Sequence, residues 1–423
     1  MRKIIIFMLS ICLITSMAAF SFADNAKNNK KDKAVRLEEN EKTLSNEQDT
    51  SESQEEAHTP SSKIPDWVNK IYFYAMTSAD FRWLDKGNPG DKSSTSRSDI
   101  YIRAFALNIE SVPAEHVSTS LVLMSEFIGD SLEGGTGMIG VDEAIIDANI
   151  PNSQFYIKGG KTTLPFGLFE SPFLTDPLTL EAFRIKKVGI TIGYRNRFSP
   201  SFTLYKGEVI PGNLKESGLL DISLAKRMPS GSNTMSSYIA NLMVSAIPKT
   251  LTVFGAFSSE PGYETRNTTM NLGFHFVLPS LPKLIFDAEY MQALQRETRM
   301  GMDRSFEEGA LSMTAYYSFV VKEREPIGGA TFRGQKTHIE SNPILIAFRY
   351  EYFFDDGWAE ELKSWSVKDR MTIGGRMTFN EESHLQLYTG AELRLTNYRL
   401  FGMSSDNRAE NTAEIYLRLG INF

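Results

Sequence analysis

The chain has 423 residues, of which 45 are Lys or Arg and 52 are Asp or Glu, so its formal net charge is −7. This acidic balance excludes a basic nucleic-acid-binding protein. A hydrophobic fraction of 41% excludes a chain that stays disordered throughout. The length allows two or three ordinary domains or one very large closed sheet, and hydrophobic periodicity decides between them.

The first 23 residues are predicted to be a secretory signal peptide. Arg2 and Lys3 form the charged start, residues 4–17 the apolar stretch and residues 21–23 a small-x-small cleavage site. Lipoprotein processing at Cys12 fits less well, because a bulky residue precedes it where a small one is expected. Cys12 is the only cysteine, so the exported chain is predicted to lack disulfides and cysteine-based metal sites.

Residues 24–65 are predicted to be a disordered, polar periplasmic linker. They are dominated by Lys, Glu, Asp, Ser, Asn and Gln, with too few aliphatic residues to form a helical seam. No later apolar run approaches the roughly 20 residues that a membrane-spanning helix requires. Residues 66–423 are therefore either soluble after export or embedded in a membrane as strands.

The C-terminal part of the chain shows the clearest strand pattern. From Glu414 to Phe423, apolar residues alternate with polar or small ones, which is the period of a strand with one apolar face. The pattern recurs over residues 385–395, 371–379, 344–352 and 284–290. These segments have about the ten residues of a tilted membrane-crossing strand, whereas strands in soluble sandwiches are nearer five or six.

The predicted fold is an all-β, transmembrane antiparallel β-barrel, because lipid offers no hydrogen bonds to an open sheet edge. Candidate strands begin near Lys70, Asp99, Val117, Val141, Phe155, Lys187, Phe202, Asp221, Tyr238, Thr250, Asn267, Lys283, Ala310, Ile344, Asp369, Leu385 and Asn411. Single-chain bacterial barrels have even strand numbers, so one candidate is wrong. We predict 16 strands, with 18 as the alternative.

Charged residues within these strands are predicted to face the lumen. A Lys or Arg that faces lipid near the bilayer midplane costs about 2–4 kcal/mol. The predicted lumen-facing set is Asp287, Glu289, Arg349, Glu351, Arg376, Glu392, Arg394, Glu414 and Arg418. Aromatic residues near strand ends, Phe353 among them, are predicted to form girdles at the membrane interfaces.

The last strand ends on Phe423, with alternating apolar residues before it. This ending resembles the assembly signal of bacterial outer-membrane barrels. Together with the predicted signal peptide, it implies a location in the outer membrane of a Gram-negative bacterium. The implied partners are outer-membrane lipid and the barrel-assembly machinery.

Residues 164–186 interrupt the strand pattern. Three prolines forbid a regular strand or helix there, and many Leu and Phe residues indicate that the segment packs on something. It folds either over the barrel rim or into the lumen as a constriction loop, in which case its acids would face basic residues between positions 161 and 197 and orient polar solutes. The constriction hypothesis names Lys161, Pro165, Phe166, Gly167, Glu170, Asp176, Glu181, Arg184, Lys186 and Lys187.

Four short motifs around this segment resemble a known family. They are VDEAII at 141–146, GGK at 159–161, PFG at 165–167 and DPLTLE at 176–181. Over residues 141–195 the chain resembles siderophore porins of the legiobactin-uptake type. The resemblance implies TonB-independent passage of a ferric siderophore through a barrel without an energised plug. After position 181 this chain reads AFRIKK, where the family commonly has a polar Gly-Glu-Thr-Arg-like run.

Other functions compete with siderophore uptake. A general or anion-selective diffusion porin is the alternative, and small-molecule solutes are the expected cargo of either. An energised receptor is excluded because it needs about 22 strands and a plug. None of the five histidines lies in a recognisable nucleophile context, so a barrel hydrolase is disfavoured and no catalytic residue, metal or cofactor is predicted. A structural or adhesin barrel would use long external loops such as 321–342 and 359–368.

Overall fold

The computed structural model describes residues 71–85, 96–130, 137–168, 171–207, 213, 219, 235–262, 265–296, 307–319, 344–357, 360, 365–379, 386–401 and 411–423. The predicted signal peptide, the polar linker, Glu170 and the strand candidate near Asp221 lie outside the described residues. No helix within the described ranges has the length and apolar character needed to cross a membrane.

Sixteen antiparallel strands form one closed barrel, which confirms the predicted fold class and strand number. The strands are β1 (Ile71–Leu84), β2 (Arg97–Ala114), β3 (Val117–Ile128), β4 (Gly140–Asn149), β5 (Phe155–Thr163), β6 (Lys186–Tyr194), β7 (Phe198–Tyr205), β8 (Ser237–Ile247), β9 (Leu251–Pro261), β10 (Arg266–Val277), β11 (Leu284–Gln295), β12 (Gly309–Ser318), β13 (Ile344–Phe354), β14 (Trp365–Phe379), β15 (Gln386–Leu400) and β16 (Asn411–Asn422). One short helix, α1 (Leu178–Phe183), lies between β5 and β6.

Every strand pairs with its neighbours in sequence, and β1 closes the ring by pairing with β16. β7 pairs directly with β8 over its whole length, so the ring closes without a strand near Asp221. At the seam, the Phe423 N–H donates to the Ala75 carbonyl (2.9 Å), and the Ala75 N–H donates to the Phe423 carbonyl (2.7 Å). The assembly role of Phe423 stays a prediction.

Side chains alternate between an apolar outer face and a more polar inner face. On β13, Ile346 and Phe348 are 50% and 47% exposed, whereas Arg349 and Glu351 are fully buried. On β16, Leu417 and Leu419 are 47% and 55% exposed. Large exposed aliphatic side chains around a closed sheet form the apolar band that a membrane-spanning barrel presents to lipid.

The connections divide between two ends of the barrel. The terminal end, where β1 begins and β16 ends, has connections of a few residues except at 319–343, between β12 and β13. The opposite end, here called the loop end, carries most of the longer connections, including 164–185, 206–236 and 355–364. Of the two regions expected to be external, 321–342 lies outside the described residues, and 359–368 is described only at residue 360 and from Trp365 onwards, where it belongs to β14.

The backbone conformation at position 160 of β5 requires a glycine. Its φ is +127°, and a Cβ there would lie 1.9 Å from the carbonyl oxygen of Ala144 on β4. That oxygen cannot move away without disturbing the pairing of β4 with β5. The neighbouring Gly159 is different, because no atom lies within 4 Å of its ideal Cβ position.

Gly160→Ala is expected to destabilise the barrel, whereas Gly159→Ala is the matched control that should not. Strain at a backbone conformation that L-residues rarely adopt costs about 1–3 kcal/mol, and the contact with Ala144 adds to it. The measurement is the denaturant midpoint of the refolded barrel in detergent, followed by the heat-dependent shift on gels. Equal midpoints for the two variants would contradict this interpretation of Gly160.

Candidate functional site: a segment across the barrel interior

Residues 164–185, here called the lumen segment, leave β5 at the loop end and return to β6. Their polar contacts are not with these two strands but with side chains of β10, β11, β13, β14 and β15. In a ring of sixteen strands, β5 and β13 face one another. The lumen segment therefore crosses the barrel interior.

Three glutamates on the far wall bind the main chain of the lumen segment. The described residues between Leu164 and Pro177 have no regular structure, but α1 begins directly after Pro177, so the prediction that the prolines forbid a helix is wrong for residues 178–183. A proline just before the first turn removes no bond from the helix, and the N–H groups ahead of the helix and in its first turn need acceptors from elsewhere. The bonds run from Leu168 N–H to Glu289 (2.9 Å), from Leu178 N–H to Glu351 (2.6 Å), and from the N–H groups of Leu174 and Thr175 to Glu392 (2.8 and 3.1 Å). Hydrogen bonds to a charged acceptor contribute about 1.5–3 kcal/mol each, so these carboxylates hold the segment at three points.

Arg349 on β13 binds the same part of the segment from a fully buried position. Its guanidinium donates to Ser171 Oγ (2.9 Å), to the Thr175 carbonyl and hydroxyl oxygens (both 3.1 Å) and to the Asp176 carbonyl (3.2 Å). It also forms an ion pair with Glu351 at 3.1 Å. One planar cation thus joins the wall to the turn at 171–176.

The tip of the lumen segment fits against two glycines of the wall. A Cβ on Gly390 of β15 would lie 2.7 Å from Leu174 Cδ2, and one on Gly374 of β14 would lie 3.3 Å from Phe173 Cδ1. The Arg349 guanidinium lies 4.7 Å from the centre of the Phe173 ring. Because glycine has no side chain at these two wall positions, the tip can lie directly against the wall.

The apolar residues of the lumen segment form a core inside the barrel near the loop end. They pack against inward side chains of β7, β8, β9 and β11–β14. The segment contributes Leu164, Phe166, Leu178, Ala182, Phe183 and Ile185, and the wall contributes Tyr205, Ile239, Ala256, Met291, Ala310, Phe353 and Val367. Phe353 is thus an interior residue, and its predicted place in an interface girdle is wrong.

A row of ion pairs continues along the wall beside the segment. Glu181 of α1 pairs with Arg370 of β14 at 2.9 Å. Burial raises the pKa of Glu181, although the Arg370 guanidinium opposes that shift. The row continues with Arg394 to Glu414, Glu414 to Arg82 (3.2 Å) and Arg418 to Asp80 (2.6 Å). Opposite charges therefore pair between β15 and β16 and between β16 and β1, whereas Arg370 of β14 has the like-charged Arg394 of β15 as a neighbour.

The nine charged residues predicted for the lumen lie on the inner face of their strands. On β11 to β16 each of them lies in the register row of the buried Arg349 or Glu351, or in a row two or four residues from that of Arg349, and so on the same face. His275 on β10 also faces inwards, where its Nδ1 lies 2.7 Å from Asp287 Oδ1. Among the described residues, no group of three or more His, Cys, Asp or Glu is placed to hold a metal ion.

Among the described acids of the lumen segment, Asp176 and Glu181, neither forms an ion pair with the basic residues expected for them. Lys161 lies in register with the exposed, outward Val188, and its ammonium donates to the Val141 carbonyl. Lys186 pairs with Asp142. The contacts of these two lysines are therefore with β4 and not with the lumen segment, and the partner of Glu181 is Arg370 from the far wall.

The remaining predicted constriction residues follow the path of the lumen segment. Pro165 and Gly167 flank the buried Phe166, whose carbonyl accepts a hydrogen bond from Asn271 Nδ2. Asp176 and Arg184 are half-buried. An exposed lysine, Lys187, lies in register with Thr162 on the inner face of the barrel.

Several interior contacts were missed by the sequence analysis. Asp80 and Arg82 alternate with Phe81 and Trp83 in β1, so the same period of two could have identified them. Arg370 lies directly opposite Glu351 in the pairing of β13 with β14. Its contact with Glu181 has no local signal, because 189 residues separate the two.

Comparison with known proteins supports the architecture. No protein-family model matches the chain, and no curated protein matches it. It is similar to the outer membrane channel DcaP of Acinetobacter baumannii, with a TM-score of 0.55, 10% identity and coverage of 84% of this chain and 97% of that one. It is also similar to Salmonella typhi OmpF in complex with daunomycin, with a TM-score of 0.52, 10% identity and coverage of 85% of this chain and 99% of that one. Pseudomonas putida OprB has a TM-score of 0.52 and 8% identity, with coverage of 85% of this chain and 96% of that one. At such low identity the likeness concerns the fold, so the chain has the fold of outer-membrane channel barrels.

Proposed function

We propose that the protein is an outer-membrane channel in which the lumen segment narrows a water-filled passage for small polar solutes. The observation that carries this proposal is the course of residues 164–185 across the interior, where hydrogen bonds from the far wall hold them. Barrels of 16–18 strands are wide enough to leave an aqueous channel. A segment bound inside such a barrel sets the width of the passage.

The wall away from the lumen segment has the polar character that such a passage needs. In β2, β3 and β6 the inner face carries amide, carboxylate and hydroxyl groups, including Asn108, Glu110, Ser120 and Thr191. Ser120 Oγ donates to Asn108 Oδ1 (3.1 Å), and Asn108 Nδ2 donates to Glu110 (2.8 Å). Polar groups along a pore favour hydrated solutes over apolar ones.

The proposed constriction uses part of the predicted residue set. Asp176, Glu181, Arg184 and Lys187 contribute charge at or beside the segment, while Pro165, Phe166 and Gly167 form the turn that directs it inwards. Lys161 and Lys186 are left out because their contacts lie apart from the segment.

The channel proposal is tested by planar-bilayer recording of the purified, refolded protein. We expect stepwise current increments in KCl, and liposome swelling that falls as the size of an added sugar increases. A reversal potential in a KCl gradient then gives the preference for anions or cations. Protein that shows the heat-dependent gel shift of a folded barrel but no current steps would point to a structural or adhesin barrel.

The cargo proposed first is a ferric siderophore. Its support is the motif resemblance over residues 141–195. A ferric siderophore coordinates its iron with its own donor atoms, so the barrel need only admit the chelate. General or anion-selective diffusion is the second candidate, supported by the mixed polar groups of the inner wall.

The two cargo classes are separated by growth under iron limitation with defined chelates, in strains with and without the gene. Siderophore uptake predicts a growth defect that a plasmid copy repairs and that persists in a background lacking the energising system of the inner membrane. Equal growth on every chelate would leave the general porin as the function.

A further inference from the structure

We propose that the lumen contains an oxyanion subsite just beyond the tip of the lumen segment, formed by Arg376, Arg418 and Tyr388. Its ligand class is a small carboxylate with an apolar body. This inference rests on the proposed channel function, since the ligand reaches the subsite through the lumen.

The pairing of three strands places the two arginines on either side of Gly390. Arg376 of β14 and Arg418 of β16 both lie in register with Gly390 of β15. Neighbouring strands are about 4.8 Å apart, so the two stems flank the position of Gly390, which supplies no side chain. Leu174 of the lumen segment fills the space over this glycine, so the two stems lie on either side of the tip.

The charges at this position are unbalanced. Arg418 is neutralised side-on by Asp80, with Nε to Oδ1 at 2.6 Å and Nη2 to Oδ2 at 2.7 Å. The half-buried Arg376 makes no ion pair with any described residue, and its electrostatic neighbours are Tyr388 and the like-charged Arg418. A partly desolvated guanidinium beside a second cation is unfavourable until an anion joins it. A planar carboxylate fits the fork of Arg376 in two parallel hydrogen bonds.

Tyr388 provides an aromatic surface next to these cations. It lies in register with Gly420 of β16, and a Cβ on that glycine would lie 2.1 Å from Tyr388 Cζ. The ring therefore lies against the wall over Gly420, two residues along β16 from Arg418. A carboxylate held by the arginines can pack its apolar part on this ring, which selects benzoate-like solutes over inorganic anions.

The subsite is tested by titrating benzoate into planar-bilayer recordings of wild-type channels. We expect a concentration-dependent loss of current, and no loss with neutral benzyl alcohol at the same concentrations. Arg376→Gln is expected to raise the half-blocking concentration about tenfold or more, because a hydrogen-bonded ion pair is lost. Arg376→Lys keeps the charge but not the fork, and should give an intermediate value.

Lys158→Gln is the matched control. Lys158 lies in register with Thr191 on the inner face of β5, on the other side of the barrel, and its loss removes the same unit of charge. An equal rise in half-blocking concentration for this variant and for Arg376→Gln would overturn the subsite. So would block by inorganic phosphate as strong as that by benzoate, because the ring would then contribute nothing. Absence of current steps in the wild type would instead overturn the channel function.

Discussion

Glu392→Ala is expected to raise the single-channel conductance and the noise of the open current. Glu392 accepts the N–H groups of Leu174 and Thr175 and the Thr175 hydroxyl, so the substitution removes three bonds from the tip at once. Each bond to a charged acceptor contributes about 1.5–3 kcal/mol. The tip should then leave the wall for part of the time and open a wider passage.

Two further variants make this measurement specific. Glu392→Gln keeps an acceptor oxygen without the charge and should give a smaller increase. Glu126→Ala removes a carboxylate from β3, where Glu126 pairs with Arg103 at 3.1 Å and does not contact the segment, so the conductance should stay near the wild-type value. Equal conductance in Glu392→Ala and the wild type would mean that the lumen segment does not limit the current.

Arg349→Ala is expected to lower the free energy of unfolding by about 3–5 kcal/mol, because it leaves a buried charge without its partner. Both Arg349 and Glu351 are fully buried. The substitution also removes the donors to Ser171, Thr175 and Asp176. The measurement is the denaturant-induced unfolding of the refolded barrel in detergent.

The double variant Arg349→Met, Glu351→Gln separates buried charge from lost packing. It carries no charge at either position, and the amide oxygen that replaces the Glu351 carboxylate can still accept the Leu178 N–H, as the carboxylate does in the wild type. Its stability should lie closer to the wild type than that of Arg349→Ala. Equal losses in the two variants would show that the ion pair is not the reason for the destabilisation.

The sequence by itself determined the repeating part of this protein. A period of two reports directly which side chains share a face, so the alternation in Ile344–Phe354 and Asn411–Asn422 was enough to separate the lipid side from the lumen side. The high cost of a charge in lipid and of an unpaired strand edge then required a closed barrel. Because single-chain bacterial barrels have even strand numbers, the seventeen candidates predicted sixteen strands, but the sequence did not show which candidate was surplus.

Only the tertiary structure decided the course of residues 164–185. Outside α1 the described part of the segment has no regular structure, so no local period indicates its polar partners on β10 to β15, which lie 105 to 218 residues away in sequence, as with Asn271 and Glu392. Proximity in sequence suggested Lys161 and Lys186 as partners of the acids in the segment. The strand register instead places Lys161 on the outer face, and Glu181 pairs with Arg370. Local pattern encodes the face of a strand, whereas the partner of an irregular segment depends on how the ring closes around it.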